Sequence, residues 1–174
     1  MSNSTIYDIY WEGPYTLDEI KSKIKDDKFI IHEGHCLYQI YGDHPCYGRD
    51  VLLYIGKTKN MTNRLWQHYN RYTLECESVK VFIGSCGIFE SWEERWEIEE
   101  YGSTGEHIVD AIESLLIHAH QPAYNSSKLL STHFNDLNLR VFNTNKRKSL
   151  MPEISTTYYR GNIIEEEKII DNSL

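Results

Sequence analysis

Two short apolar segments, rich in aromatic and β-branched residues, most constrain what this chain can fold into. Residues 37–41 and 51–55 both have the composition of β-strands. The stretch between them, residues 42–50, is rich in glycine, proline and aspartate, which favour turns. The sequence therefore predicts an antiparallel hairpin with a long connecting loop, and this hairpin brings Tyr38 and Tyr54 onto neighbouring strands.

A helix is predicted directly after the second strand, over residues 61–72, with Asn60 as its N-cap. Arg64 and His68 are four residues apart, so their side chains lie on one face of that helix, and Arg71 lies close to the same face. Two strand tyrosines followed by basic residues one helical turn apart form a compact arrangement for binding a phosphate. The alternative interpretation is an ordinary solvated polar stripe.

Gly56, at the end of the second strand, allows close backbone approach. The following Lys57 and Thr58 suggest a nucleotide-binding loop, but that motif also requires a glycine where this chain has Val51. A P-loop is therefore excluded, and Lys57 remains a candidate phosphate-binding cation.

Other elements follow from apolar periodicity, capping boxes and β-branched runs. They are a helix over 16–24, a strand over 79–84, a helical turn from 91, a helix over 103–118, and strands at 139–142 and 155–159. Glu113 lies beside the apolar stripe of the helix over 103–118, because Val109 and Ile117 flank it at helical spacing. A carboxylate in such a position is usually partnered or functional. The alternative is a glutamate at the edge of the helix surface.

The composition is that of a globular protein of 174 residues, with 40% hydrophobic and 25% charged residues. No run of 18 apolar residues is present, so we expect no transmembrane helix. The N-terminal residues lack the basic and apolar regions of a secretory signal, and the four cysteines show no C-x-x-C pairing. We therefore expect a cytoplasmic protein with reduced thiols and no membrane partner. A zinc site is an open alternative for one set of soft ligands: His32, His35, Cys36, His44 and Cys46.

The net charge of −8 at first argues against nucleic acid as a partner. Its distribution reverses that conclusion, because residues 51–90 hold five bases against three acids and residues 114–150 hold five against one. Residues 91–113, by contrast, hold one base against eight acids. The sequence predicts a basic face on an acidic body. Lys146, Arg147 and Lys148 are candidates for target contact, with a solvated turn as the alternative.

Taken in order, the candidate residues resemble the motifs of the GIY-YIG nuclease family over residues 34–127. The first motif is represented by Cys36, Leu37 and Tyr38, and the second is complete as Tyr54, Ile55 and Gly56. The family's helix arginine matches Arg64, and the histidine of its restriction-enzyme branch matches His68. Its metal-binding glutamate matches Glu113, and its late asparagine matches Asn125. Cys36 and Leu37 depart from the family's glycine and isoleucine, which affects strand packing more than the reacting tyrosine.

The resemblance implies an α+β fold within the broad α/β class: a three-stranded, mainly antiparallel sheet flanked by helices. It divides the chain into an N-terminal extension with a short helix (1–33), a nuclease core (34–127) and a C-terminal extension (128–174). The C-terminal extension would contact DNA and ends in an acidic tail. The hairpin loop and the acidic segment 89–106 would be insertions.

The implied activity is divalent-metal-dependent hydrolysis of DNA phosphodiester bonds, of the restriction or defence type. Glu113 would hold Mg²⁺, with Mn²⁺ as a substitute, because Mg²⁺ keeps several waters and needs few protein carboxylates. Tyr38 would be the general base and Arg64 would bind the scissile phosphate. Tyr54 and His68 would orient water and phosphate, and Asn125 would shape the site through hydrogen bonds.

Three alternatives remain open. They are a structure-specific repair nuclease, a catalytically silent nucleic-acid-binding module on the same fold, and an acidic protein-interaction domain. A palindromic target would imply a homodimer.

Overall fold

The computed structural model describes residues 6–16, 18–20, 22, 35–60, 63–64, 67–68, 79–96, 101–102, 104–130 and 137–159. The strands are β1 (Ile6–Tyr15), β2 (Cys36–His44), β3 (Gly48–Thr58), β4 (Lys80–Phe89), β5 (Arg140–Asn145) and β6 (Glu153–Ser155). Helix α1 spans Glu106–His120, and a short 3₁₀ helix spans Glu93–Trp96. Residues 18–20, 22, 63–64, 67–68 and 156–159 are also helical.

The strands form one six-stranded mixed sheet in the order β3-β2-β4-β1-β5-β6. All neighbours are antiparallel except β1 and β5, which are parallel. The α+β class is confirmed, but the predicted three-stranded sheet is wrong. β1 lies between β4 and β5, and it comes from the segment predicted to be an extension. Its β-branched and aromatic residues, including Ile6, Ile9 and Trp11, explain why it forms a strand.

Strands of the same sheet therefore come from all three predicted segments, and the boundaries at 33/34 and 127/128 stay predictions. The predicted strand at 139–142 is confirmed by β5. The strand predicted over 155–159 is wrong for most of its length, because β6 ends at Ser155 and residues 156–159 are helical.

The predicted hairpin is present, but its long loop is wrong. β2 and β3 continue to His44 and Gly48, so the connection is a short turn. The His44 ring makes this turn possible, because its Nδ1 accepts the backbone N–H groups of Cys46 at 3.1 Å and Tyr47 at 3.2 Å. Gly48 supplies a positive φ of 93° at the end of the turn.

Two apolar clusters lie on the two faces of the sheet. Helix α1 packs with Leu37, Ile55 and Phe82 in the larger cluster. Ile20, Cys36, Tyr38, Ile40, Val81 and Ile83 form the smaller one. Alternating strand residues point to opposite faces, so neighbouring Leu37 and Tyr38 enter different clusters.

The helix caps only partly follow the sequence predictions. The capping box at Thr16 is confirmed, since Thr16 N–H donates to Glu19 Oε2 at 2.7 Å and Glu19 N–H donates to Thr16 Oγ1 at 3.3 Å. The box predicted at 103–106 is wrong: Gly105 is the N-cap of α1 and gives no side-chain cap. Thr104 Oγ1 instead donates to the Cys86 carbonyl at 3.0 Å, which ties the start of α1 to β4.

Candidate active site

Tyr38 and Tyr54 lie on neighbouring strands and face the same side of the sheet. Tyr38 on β2 is directly opposite Gly56 on β3, so Tyr54 is its diagonal neighbour two residues away. The two rings stack with their centroids 6.0 Å apart and an interplanar angle of 20°. The predicted placement of a tyrosine on each of two paired strands is therefore confirmed.

Gly56 makes this arrangement sterically feasible. A Cβ built on Gly56 would lie 2.5 Å from the Tyr38 hydroxyl oxygen and 2.8 Å from a Tyr54 ring carbon. Both distances are too short for non-bonded atoms, so a side chain here would push the Tyr38 hydroxyl from its position. The sequence predicted a close approach at Gly56, but the approaching group is a side chain and not a backbone.

The Tyr38 hydroxyl is the centre of a hydrogen-bonded group. Arg64 Nε donates to the Tyr38 oxygen at 3.2 Å, and the same oxygen lies 2.9 Å from His68 Nε2. Arg64 can only donate, so the hydroxyl keeps its own proton available for His68. The His68 ring also packs against Tyr54, with centroids 4.5 Å apart.

Burial sets the acidity of this hydroxyl. Tyr38 is fully buried, and desolvation raises its pKa above the ordinary value, with a further contribution from neighbouring Tyr54. The hydrogen bond and the positive charge of Arg64 oppose that rise, and the Glu113 carboxylate adds to it. The hydrogen bond to Tyr38 in turn raises the pKa of Arg64.

Arg64 and His68 reach Tyr38 because both residues are helical and four positions apart. The predicted cap holds the start of this helical segment: Asn63 N–H donates to Asn60 Oδ1 and Arg64 N–H donates to the Asn60 carbonyl, both at 3.1 Å. Arg71 lies outside the described residues.

A pocket of about 270 Å³ opens beside this group. Its lining residues are Tyr54, Arg64, Gln67, His68, Tyr124, Asn125, Ser126 and Ser127. Its wall thus contains a guanidinium, an imidazole, two phenols, two serine hydroxyls and two amides. Such donors suit an anionic, oxygen-rich ligand.

Asn125 joins the pocket to the main chain of β3. Its Oδ1 accepts the N–H of Ile55 at 3.0 Å, and its Nδ2 donates to the Ile55 carbonyl at 3.0 Å. Tyr124 N–H donates to the Leu53 carbonyl at 2.8 Å, so the turn that precedes Asn125 is also held against β3. Asn125 therefore holds the pocket wall against the strand that carries Tyr54, in keeping with the shaping role expected from the sequence.

Glu113 is buried in α1 and has a cationic partner that the sequence reasoning missed. Lys128 Nζ lies 2.6 Å from Glu113 Oε2 and 2.9 Å from Asp110 Oδ1. Burial alone would lower the pKa of Lys128, but its hydrogen bonds to the two carboxylates outweigh that effect and raise it. Lys128 directly follows Ser126 and Ser127 of the pocket wall, so one short segment connects the pocket to Glu113. The sequence signal was the isolated lysine soon after Asn125.

The donor set around Glu113 bears on a magnesium site. Among the residues that the structure describes, no three His, Cys, Asp or Glu side chains form a cluster able to hold a metal. A single carboxylate nevertheless suits Mg²⁺, which takes its remaining ligands from water and substrate oxygens. Glu113 fits that role once Lys128 gives up part of its contact with the carboxylate. No cluster of metal ligands in the described residues supports the zinc alternative, and His32 lies outside those residues.

Lys57 points to α1 and not to the pocket. Its Nζ is 3.1 Å from Asp110 Oδ1 and 3.9 Å from Glu106 Oε1. Glu106, Asp110 and Glu113 recur on one side of α1 at helical spacing, and β3 and Lys128 supply the facing cations. Lys57 therefore forms ion pairs with acidic side chains of α1 in this structure, and its predicted contact with phosphate stays a prediction.

The basic cluster 146–148 also makes internal contacts. Lys148 pairs with Asp50 and lies over the Tyr41 ring, 5.0 Å from its centroid. Arg147 donates to the Leu150 carbonyl. Lys146 is exposed. The role of these three residues in target contact stays a prediction.

Comparisons of the chain with protein-family models, with curated proteins and with solved structures gave no match. In the ranges that the structure describes, no helix is both long and apolar enough to cross a membrane. Cys36, Cys46 and Cys86 form no disulfide, while Cys76 lies outside the described part of the chain.

Proposed function

We propose that this chain is a metal-dependent endonuclease of the GIY-YIG type that hydrolyses DNA phosphodiester bonds. The observation that carries the proposal is the Tyr38 hydroxyl, held between Arg64 Nε at 3.2 Å and His68 Nε2 at 2.9 Å. A buried phenol between a fixed cation and an imidazole, beside a pocket lined with hydrogen-bond donors, is an arrangement for moving a proton near an anion.

The proton path follows from these contacts. Burial raises the pKa of Tyr38, so a resting phenolate is disfavoured at neutral pH. Tyr38 therefore acts as a base by giving its proton to His68 Nε2 while it takes a proton from the attacking water. The hydroxide oxygen forms a bond to phosphorus, and the bond from phosphorus to the leaving 3′ oxygen breaks. The 3′ oxygen takes a proton from solvent, and His68 returns its extra proton to solvent.

Arg64 serves both the base and the phosphate. Its Nε–H is bonded to Tyr38, and its NH1 donates to Gln67 Oε1 at 3.2 Å at the pocket wall. The guanidinium charge neutralises the extra negative charge that phosphorus oxygens gain in the transition state. When Mg²⁺ is bound, Glu113 would hold it, and the ion would polarise a phosphate oxygen as a Lewis acid.

One observation favours a second candidate, a catalytically silent nucleic-acid-binding module. The carboxylate of Glu113 is engaged by Lys128 at 2.6 Å, and Lys57 is engaged by Asp110. Both charges are accounted for by ion pairs inside the protein, which is what a structural role would require.

Cleavage of plasmid and oligonucleotide DNA with Mg²⁺ decides between the two. We expect wild-type protein to give discrete fragments, and Glu113→Gln and Arg64→Ala to lose at least about 100-fold in rate. Matched controls are Glu106→Gln, an exposed acid of the same helix, and Arg140→Ala, an exposed arginine paired with Glu153. Binding without cleavage by wild-type protein, with either Mg²⁺ or Mn²⁺, would establish the silent module instead.

A further inference from the structure

Three aromatic rings form a ladder that leads from the pocket to the tip of the β2–β3 hairpin. The Tyr124 ring, in the pocket wall, lies 5.1 Å from the His44 ring between centroids. His44 in turn stacks on Tyr47, with centroids 4.6 Å apart and an interplanar angle of 24°. Tyr47 is 70% exposed, so the ladder ends in a ring that faces solvent.

The hairpin turn fixes the middle ring of this ladder. His44 Nδ1 accepts two backbone N–H groups of the turn, which sets both the plane of the imidazole and its tautomer. Tyr47 is therefore stacked on a ring that cannot rotate away. A pre-oriented, solvent-facing aromatic surface loses little conformational entropy when a planar ligand stacks on it.

A groove of about 480 Å³ adjoins this ladder. It is lined by Asp43, His44, Pro45, Gly48, Arg49 and Tyr124. Tyr124 lines both this groove and the pocket beside Tyr38, so the two adjoin at that ring. Asp50, two residues after the turn, is neutralised by Lys80 and Lys148, while one carboxylate, Asp43, and one guanidinium, Arg49, line the groove.

We propose that the hairpin tip is a nucleobase subsite, in which an unpaired base of the bound DNA strand stacks on Tyr47. This inference rests on the proposed function, because the phosphate in the pocket positions the strand. Base stacking on aromatic side chains tolerates any sequence, since every base has a π-face. The distance between neighbouring ring centroids in the ladder is similar to the spacing of successive nucleotides along a strand. That spacing is about 3.4 Å between stacked bases and larger between splayed ones. The stacked base is thus on the order of two or three nucleotides from the cleaved bond.

The test is the affinity of the protein for fluorescein-labelled single-stranded DNA in EDTA, where cleavage does not interfere. We expect Tyr47→Leu to raise the Kd by roughly 5- to 150-fold, the range for loss of one stacked base. Tyr47→Phe keeps the ring and should bind like wild type. The matched control is Tyr158→Leu, which removes a tyrosine that is 72% exposed elsewhere on the surface. The slope of log Kd against log salt should stay unchanged, because no phosphate contact is removed.

A second measurement identifies the base itself. A series of oligonucleotides with one abasic position at a time should show one position at which wild-type protein loses affinity by the same factor. Tyr47→Leu should be insensitive to that position, which is the coupling expected of two groups in contact. Equal loss on a fully paired duplex and on single-stranded DNA would overturn the subsite, since a paired base cannot stack on Tyr47.

The two proposals fail in different ways. If wild-type protein binds and cleaves DNA but Tyr47→Leu has the wild-type Kd, the subsite is wrong and the nuclease proposal stands. If wild-type protein binds no DNA of any form, both are wrong. Tyr47 is on the surface, and thermal unfolding of each variant checks that it folds as wild type does.

Discussion

Gly56 lies directly opposite Tyr38 across the β2–β3 pair, at a distance that leaves no room for a Cβ. Gly56, which matches the glycine of the second motif, therefore leaves the space that Tyr38, the tyrosine of the first motif, occupies. It is a steric requirement of the site and not a turn residue, because it lies inside β3.

Gly56→Ala should accordingly displace the Tyr38 hydroxyl from Arg64 and His68. We expect DNA cleavage to fall by about 100-fold, the scale of a displacement of about 1 Å at a reacting group. The free energy of unfolding should fall by about 1–3 kcal/mol through overpacking. Gly105→Ala is the control, since its Cβ would meet only His107 at 3.4 Å. Unchanged cleavage by Gly56→Ala would show that the position of Tyr38 does not matter for the reaction.

Lys128→Met should leave the buried Glu113 carboxylate without its ion-pair partner. We expect a loss of about 3 kcal/mol in the free energy of unfolding, and part of it should return in Lys128→Met/Glu113→Gln. Urea unfolding of the three proteins measures both effects.

Excess Mg²⁺ gives this pair a second readout. Because Lys128→Met exposes the carboxylate to a competing cation, Mg²⁺ should stabilise that variant by roughly 1–3 kcal/mol, as mass action requires. The double variant should not respond. Equal responses from both would mean that Glu113 is not a Mg²⁺ ligand.

Tyr38 should make the protein sensitive to alkaline pH. Its pKa is raised above 10.0 by burial, so the folded state keeps a proton that the unfolded chain loses. This contribution to stability is complete below pH 10 and is lost as the pH rises from there toward the folded-state pKa. The expected slope is about 1.4 kcal/mol per pH unit, measured by urea unfolding between neutral pH and pH 11.

Tyr38→Phe should remove the contribution of one titrating group from that slope, whatever the substitution does to stability at neutral pH. The control is Tyr47→Phe, which changes an exposed tyrosine of the hairpin tip. Other buried groups, such as Tyr41 and the Cys36 thiol with a pKa of about 12, contribute to the slope equally in both variants. Equal slopes in wild type and Tyr38→Phe would contradict the assignment.

Asn125→Asp should separate the pocket wall from β3. The substitution replaces the Nδ2 donor with an oxygen that faces the Ile55 carbonyl, so we expect a loss of about 1–3 kcal/mol in unfolding free energy. A protonated carboxyl can donate again, and the penalty should therefore shrink as the pH falls. Asn138→Asp is the control, because its exposed Oδ1 only accepts a bond from Thr157. A penalty independent of pH would argue against the bond to Ile55.

Local patterns predicted well wherever the interaction is local. Spacing alone put Arg64 and His68 on one helical face, and the composition of two short segments put Tyr38 and Tyr54 on neighbouring strands. The capping interactions of Thr16 and Asn60 also depend only on neighbours a few residues away. Patterns of this kind are encoded within a single element.

Predictions failed where distant segments compete. Residues 6–15 have the composition of a strand, but their place between β4 and β5 depends on pairing with distant segments, which no local feature reveals. The capping box predicted at 103–106 does not form, since α1 is capped at Gly105 and the Thr104 hydroxyl donates to the Cys86 carbonyl of β4.

The sequence by itself determined the elements of the hairpin, the helical spacing of the basic residues and the order of the motif residues. Tertiary structure alone decided that β1 inserts into the sheet, that Lys128 neutralises Glu113 and that Lys57 turns to α1. The physical reason is that periodicity and capping act over a few residues, whereas strand neighbours and ion-pair partners are chosen by packing between segments that are far apart in the chain.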